Sequence, residues 1–211
     1  MKALVQTRYG DQTALEICDL PHPEPGPSEV LVKVLACGAN ASDWEYLTGR
    51  PAYARITRPF SSGRRVLGSD IVGRVEAMGA DVTGFAPGDR VVADNFDRSG
   101  GFAEYALLPE AQCVAVPPEL DDITAAALPQ SGTVALMGIG DHAKAGQKVL
   151  INGAGGAGGA LAIQMAKRAG AEVTAVDNAT KAPLMQTLGA DRVLDYRQTD
   201  FTAEGRRYDH I

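Results

Sequence analysis

The sequence predicts an α/β protein in two parts, a β-barrel-like first half followed by a parallel sheet layered with helices. Three observations point there. Up to about Pro118, short apolar runs are broken by Gly and Pro. Beyond it, strand-like and helix-like runs alternate. Between the first such strand and its helix stands a turn with five glycines in seven residues, Gly153-Ala-Gly-Gly-Ala-Gly-Gly159.

The elements follow in order. Lys2–Gln6, Glu29–Ala36, Ile71–Met78, Arg90–Ala93, Ala103–Leu108 and Cys113–Val116 read as strands, because β-branched and aliphatic residues cluster between turn residues. The proline-rich run Pro21–Pro27 is a rigid connector. Phe85-Ala-Pro-Gly-Asp89 is a turn before a strand. Many short strands with irregular turns favour a barrel over an open sheet. Leu120–Ala127 then places aspartates before an alanine-rich helix. Next come Lys148–Asn152 (strand), Gly156–Ala169 (helix), Glu172–Asp177 (strand), Ala179–Leu188 (helix, ended by Gly189) and Arg192–Tyr196 (strand). That βαβαβ order requires a parallel sheet. Tyr208–Ile211 reads as the opening of a fourth strand. The expected domains are residues 1–122 and 123–211, the second a doubly wound sheet with barely more than half of the roughly six strands such a fold carries. It is expected to be truncated, and the 211-residue chain to be a compromised form of a longer protein.

Composition excludes several function classes. With a net charge of −6 and no basic run longer than a pair, such as Arg64–Arg65, phosphate-driven nucleic-acid binding is not expected. No run approaches the ~18 apolar residues of a membrane span. Met1–Gln6 lacks the longer apolar stretch of a signal peptide. Cys18, Cys37 and Cys113 are odd in number and far apart. That argues against a disulfide framework and for a reducing, cytoplasmic setting.

The glycine turn carries the first functional reading. It follows a strand and opens a helix, so backbone N–H groups can approach a pyrophosphate at the helix N-terminus. Two registers fit: Gly153-x-Gly155-x-x-Gly158, and Gly153-x-x-Gly156-x-x-Gly159. Asp177 closes the second strand about 20 residues on, where a ribose-binding acid belongs in a Rossmann dinucleotide fold.

Gly153-Ala-Gly-Gly-Ala-Gly-Gly-Ala-Leu-Ala-Ile-Gln-Met-Ala-Lys167 resembles the cofactor turn of the medium-chain dehydrogenase/reductase superfamily, and more narrowly its zinc-independent quinone oxidoreductase branch. The resemblance runs through the whole chain. Leu31–Asp43 is similar to the segment carrying a catalytic cysteine in zinc alcohol dehydrogenases, and Leu67–Val75 to their Gly-His-Glu signature. Gly88–Val91 and Gly100–Tyr105 resemble two further landmarks. The resemblance implies a GroES-like β-barrel domain ahead of a Rossmann domain, a nicotinamide cofactor and, in the full-length protein, a homodimer. Gly153, Ala154, Gly155, Gly156, Ala157 and Gly159 are the expected cofactor turn. Asp177 favours NAD, whereas Lys181 and Tyr196 resemble the pair that holds the 2′-phosphate of NADP in related enzymes. The expectation leans to NAD.

The departures bear on the chemistry. Asn40 stands at the cysteine position and Ser69 at the histidine position, and neither is a good Zn²⁺ ligand. No metal is therefore expected. Without a Lewis acid, hydride addition to a quinone or an α,β-unsaturated carbonyl is easier than turnover of a plain alcohol, since the developing enolate oxygen needs only hydrogen-bond donors. Asn40 and Tyr46 are the candidate donors, with Asp43 orienting neighbours or capping the helix that follows. Trp44, Tyr53 and the loop Thr48–Phe60 are candidates for shaping the acceptor pocket, against simple packing. Cys37 reads as core, and His22, His142 and His210 as non-catalytic. A metal-free alcohol or aldehyde dehydrogenase, and a dinucleotide-binding protein without turnover, are the alternative readings.

Overall fold

The computed structural model describes residues 1–56, 59–60 and 63–211. The chain divides into two compact units, Met1–Gln130 and Ser131–Ile211. The short helix α2 (Asp122–Ala126) packs on strands of the first unit.

The first unit holds β1 (Lys2–Gln6), β2 (Leu15–Asp19), β3 (Glu29–Gly38), α1 (Ala41–Thr48), β4 (Arg65–Val66), β5 (Asp70–Met78), β6 (Arg90–Asp94), β7 (Tyr105–Pro109) and β8 (Cys113–Ala115). All its strand pairs are antiparallel. The expected barrel is realised as two sheets, ordered β2-β1-β4 and β7-β3-β5-β6-β8, joined at a single Ala3–Ala103 bridge. The sequence reading missed β2 and β4. Leu15-Glu-Ile-Cys-Asp19 puts Ile17 at 75% exposure, so its apolar residues do not line a core face. Val30, Val32, Ile71, Val75, Val91 and Leu108 from facing strands make the core of the larger sheet. Gly73 permits a close approach between its strands: a Cβ there would sit 2.7 Å from Val32 Cβ.

The second unit contains the rest of α3 (Pro129–Ile139), then β9 (Lys148–Asn152), α4 (Ala157–Arg168), β10 (Glu172–Asp177), α5 (Ala182–Thr187) and β11 (Arg192–Asp195). The strands run parallel in the order β11-β10-β9. Val149, Ile151, Val173 and Ala175 pack against Ile163, Ala166 and Met185 of the helices. Helix α3 was not anticipated; its two glycines and three β-branched residues hide a helix that Pro129 opens at its first turn. The expected opening of a fourth strand is present as a single pairing. Tyr208–Ile211 contributes one parallel bridge, Val149–His210, and the Leu150 N–H to His210 carbonyl bond of 3.0 Å.

Candidate active-site residues

In the second unit the glycines of the turn differ in how closely they are packed. Gly153 has φ +76°, a conformation L side chains rarely adopt. Gly156 is the N-cap of α4, and no side chain caps that helix. A Cβ on Gly159 would sit 2.5 Å from the Gly153 carbonyl oxygen and 2.6 Å from Ala154 Cα, so this glycine seats the helix against the turn. A Cβ on Gly158 would meet nothing closer than Val134 Cγ1 at 3.3 Å. A Cβ on Gly155 would meet Lys181 Cδ at 2.4 Å and one on Gly156 only the Gly153 carbonyl oxygen at 3.3 Å, so Gly155 of the first register and Gly159 of the second are both held close.

The N–H groups of the turn are already committed. Gly153 and Ala154 donate to the Val176 carbonyl at 2.9 and 3.0 Å, and Gly156 to the Gly153 carbonyl at 3.0 Å. Gly155 donates to Asp177 Oδ2 at 3.0 Å. These four residues shape the turn rather than offer donors to a ligand. The groups left for an anion are in the first turn of α4, at Ala157, Gly158 and Gly159.

Asp177 is buried, and its carboxylate is filled. Oδ1 accepts from the Asn178 N–H at 2.7 Å and Asn178 Nδ2 at 3.0 Å. Oδ2 accepts from Gly155 N–H and, at 3.2 Å, from Lys181 Nζ. Burial pushes this carboxyl up, but the hydrogen bonds from Asn178, Lys181 and Gly155, with the Lys181 charge, outweigh it and hold it below the usual carboxylate range. Lys181 is 41% exposed at its side chain and remains open to a second partner. Tyr196 lies one residue past the end of β11, half exposed, with Arg197 over its ring.

In the first unit, Asn40 is the N-cap of α1 and forms a capping box with Asp43. Asp43 Oδ2 accepts the Asn40 N–H at 2.8 Å, and Asp43 Oδ1 accepts the Gly68 N–H at 2.8 Å. The capping role expected for Asp43 is therefore found, with a tie to the loop before β5 in addition. The box turns the Asn40 carboxamide oxygen toward the helix. Its Nδ2 is buried and has no partner at hydrogen-bond geometry. Asp70, 1% exposed, stands beside it at the start of β5. Both Asp70 oxygens accept from the Gln130 N–H, at 3.1 and 3.2 Å. Burial pushes the Asp70 carboxyl up; Asn40 and the Gln130 N–H oppose this, and the charges of Asp94 and Asp43 add to it. The burial of Asp70 could not be seen from a polar residue opening a strand.

The other candidates separate from Asn40. Tyr46 packs 5.8 Å from Phe96 and lies under the Arg65 guanidinium at 4.6 Å, beside Leu47 and Phe102. Trp44 and Tyr53 are both about half exposed. Trp44 lines a 360 Å³ cavity with Tyr9, Thr48, Arg50 and Arg55, while the Tyr53 hydroxyl donates to Glu45. Thr57 and Arg58 of the candidate pocket loop lie outside the described residues. Cys37 is confirmed as a core thiol: burial, then the charges of Asp43 and Asp70, push it up to about 12. His142 and His210, distant in sequence, come within 5.8 Å. Among the described residues no three His, Cys, Asp or Glu are grouped as a metal site, and no helix is long and apolar enough to cross a membrane.

Residues 26–118 match the alcohol dehydrogenase GroES-like domain. The chain is 34% identical to a chloroplastic quinone oxidoreductase of Triphysaria versicolor, over 100% of this chain and 67% of that protein. The chain belongs to the quinone oxidoreductase-like branch of the medium-chain dehydrogenase/reductase superfamily. Within that branch, the quinone oxidoreductase of Coxiella burnetii superposes with a TM-score of 0.86 at 30% identity, covering 96% of this chain and 64% of the other. A mycobacterial relative solved with NADPH gives 0.80 at 32% identity, covering 92% and 58%. The chain thus spans about two thirds of the length of these family members.

Proposed function

We propose that the protein transfers hydride between a nicotinamide dinucleotide and a quinone or α,β-unsaturated carbonyl, without a metal. The observation that carries this is the buried, unpartnered Asn40 Nδ2. A buried amide donor with no partner is costly unless something else supplies an acceptor. An acceptor oxygen on which negative charge develops is the group that a preformed donor stabilises most. Asn40 and Ser69 stand where the zinc enzymes of this superfamily place metal ligands, and their donor atoms favour hydrogen bonding over Zn²⁺. Tyr46 is held in side-chain packing, so the reading rests on Asn40.

The residues present fit the cofactor. The first turn of α4 offers uncapped N–H groups to the pyrophosphate, and no side chain fills the approach over Gly156. When bound, the cofactor supplies the hydride. Asp177 has no lone pair left for a ribose hydroxyl, while Lys181 is exposed and positively charged. We therefore take NADPH over the NAD that the acid position alone suggests, with Lys181 and Tyr196 on the 2′-phosphate side. The relative solved with NADPH supports a nicotinamide dinucleotide as the cofactor. A small-molecule acceptor, a dimeric full-length protein and a cytoplasmic location complete the reading.

Steady-state assays on full-length protein test it, with NADPH and a naphthoquinone, a linear enone, and an alcohol with NADP⁺. Quinone or enone reduction is expected. Alcohol oxidation as the fastest reaction, or cofactor binding with no acceptor reduced, would overturn it.

A further inference from the structure

The 360 Å³ cavity beside Trp44 lies wholly within the first unit, and the hydride-transfer reading does not use it. Three pieces of chain build it. Tyr9 and Asp11 come from the loop after β1, Trp44 and Thr48 from one face of α1, and Arg50 and Arg55 from the segment that follows. Its volume is that of a small-molecule site. Arg55 is held flat there. Its guanidinium lies 4.5 Å over the Tyr9 ring, its Nε donates to the Gly49 carbonyl at 2.9 Å, and its Nη2 donates to the Thr48 carbonyl at 3.5 Å. Gly49, at φ +65°, makes room for this: a Cβ there would sit 2.8 Å from Tyr9 Cδ1 and closer still to Arg55 Nε. Bonding the last carbonyls of α1 explains Arg55 as a helix cap. It does not explain the neighbours. Trp44, the single tryptophan of the chain, is 55% exposed on this cavity. Neither Arg50 nor Arg55 has an ion-pair partner among the described residues, and the Arg50 guanidinium bonds to nothing there. The carboxylates of the walls are engaged elsewhere. Asp11 Oδ1 accepts from the Thr13 N–H at 2.9 Å and the Thr13 hydroxyl at 2.6 Å, and Glu45 accepts from the Tyr53 hydroxyl. The lining thus sets two cations and an open indole face against one carboxylate bonded to Thr13.

We propose that this cavity binds an aromatic carboxylate, its ring against Trp44 and its oxygens on Arg50 and Arg55. The guanidinium fork matches the two oxygens of a carboxylate, and an Arg55 already clamped on Tyr9 loses little further freedom when it binds. A neutral ring would leave both arginines to water, and an anion without a ring would leave the indole uncovered. The site therefore selects for the two features together. It stands on the first unit alone and does not rest on the proposed hydride transfer. Two sources carry this chemistry: an acceptor with a carboxylated aromatic arm, or a separate aromatic acid. Trp44 follows Asn40 by one helical turn, about 6 Å along α1, which favours the acceptor arm.

The test reads the indole directly, so it does not depend on turnover. In full-length protein, 2-naphthoate is titrated while the Trp44 indole N–H is followed by ¹⁵N–¹H NMR, its signal assigned by its loss in Trp44→Phe. A saturable shift is expected, half complete at about 1 mM or below, as suits so small a ligand. 2-Naphthylmethanol, which keeps the ring and loses the charge, and acetate, which keeps the charge and loses the ring, should each bind at least about tenfold more weakly. Arg50→Gln removes no bond present among the described residues, so it should weaken naphthoate about tenfold and leave the denaturation midpoint in place. An unmoved indole signal, naphthylmethanol bound as tightly as naphthoate, or an Arg50→Gln variant that binds like the wild type overturns the proposal. Steady-state assays with NADPH and a neutral naphthoquinone then separate the sources. Competition by naphthoate that Arg50→Gln relieves assigns the cavity to an acceptor arm, and binding without competition assigns it to a separate acid. A protein that binds naphthoate in this way but reduces no acceptor would sink the hydride-transfer reading and leave the site intact.

Discussion

Replacing Gly159 by alanine should destabilise the second unit although alanine is the better helix former. Position 159 lies in the first turn of α4, and the added methyl would meet the Gly153 carbonyl oxygen at 2.5 Å, Ala154 Cα at 2.6 Å and Ala154 C at 2.8 Å. All three are backbone atoms, so no side chain can swing aside. Bringing the oxygen alone out to an ordinary 3.4 Å contact requires a shift of about 0.9 Å. Overpacking of this kind costs ~1–3 kcal/mol, against ~1 kcal/mol gained from helix propensity. A net loss of about 1 kcal/mol, the middle of the ~0–2 kcal/mol difference, is expected. Gly132→Ala is the matched control: it sits in α3, and its methyl would meet nothing within 4 Å. That variant should gain up to ~1 kcal/mol. Urea denaturation followed by circular dichroism gives both values, and calorimetric titration of NADPH shows whether the displaced turn also weakens binding. If Gly159→Ala is as stable as Gly132→Ala and binds NADPH normally, the close seating of α4 on the turn is wrong.

Lys181→Met should weaken NADPH by 10-fold or more, the ~1.5–3 kcal/mol of a charge-assisted hydrogen bond, and leave NADH within about twofold; equal losses for both cofactors would refute the assignment of Lys181 to the 2′-phosphate. Cys37, its thiol pushed up to about 12, should resist iodoacetamide at pH 8 while the folded protein persists, which mass mapping of alkylated peptides checks. Burial pushes Asp191 up, but Lys167 and the Val173 N–H prevail and lower it. Its stabilisation is therefore full above the unfolded carboxylate value and lost as pH falls through the lower folded one. Asp191→Asn should cost roughly 1 kcal/mol at pH 7, kept small by its exposure, with the gap to wild type closing below about pH 4 in denaturant titrations. Elemental analysis of chelator-free protein should find no stoichiometric zinc, since Asn40 and Ser69 are weak ligands; one tightly held zinc per chain would contradict that.

The second unit was readable because its signals are local. Lys148–Asn152 and Glu172–Asp177 match β9 and β10 residue for residue, each an apolar run long enough for a strand buried on both faces. Helix α3 was not readable, because its exposed Val134, Leu136 and Met137 blur any polar face. The site was legible as residue types and not as bonds. Asp177 stood at the right position, yet the hydrogen bonds from Gly155, Asn178 and Lys181 that fill it arise only once the turn closes. Asn40 was visible as a substituted ligand position, but the burial of its Nδ2 away from any partner arises only in the folded chain.

The Val149–His210 bridge has a consequence for the whole second unit. From β9 the sheet grows one way through β10 to β11, and the chain then returns to β9's opposite edge. Connections leaving neighbouring strands in opposite directions must part company above that point, opening a crevice at the carboxyl end of β9. The glycine turn begins at the residue that follows that strand. The place where a dinucleotide can lie is thus set by the order of the strands before any glycine is chosen, and the glycines serve to keep an opening that the topology has already made.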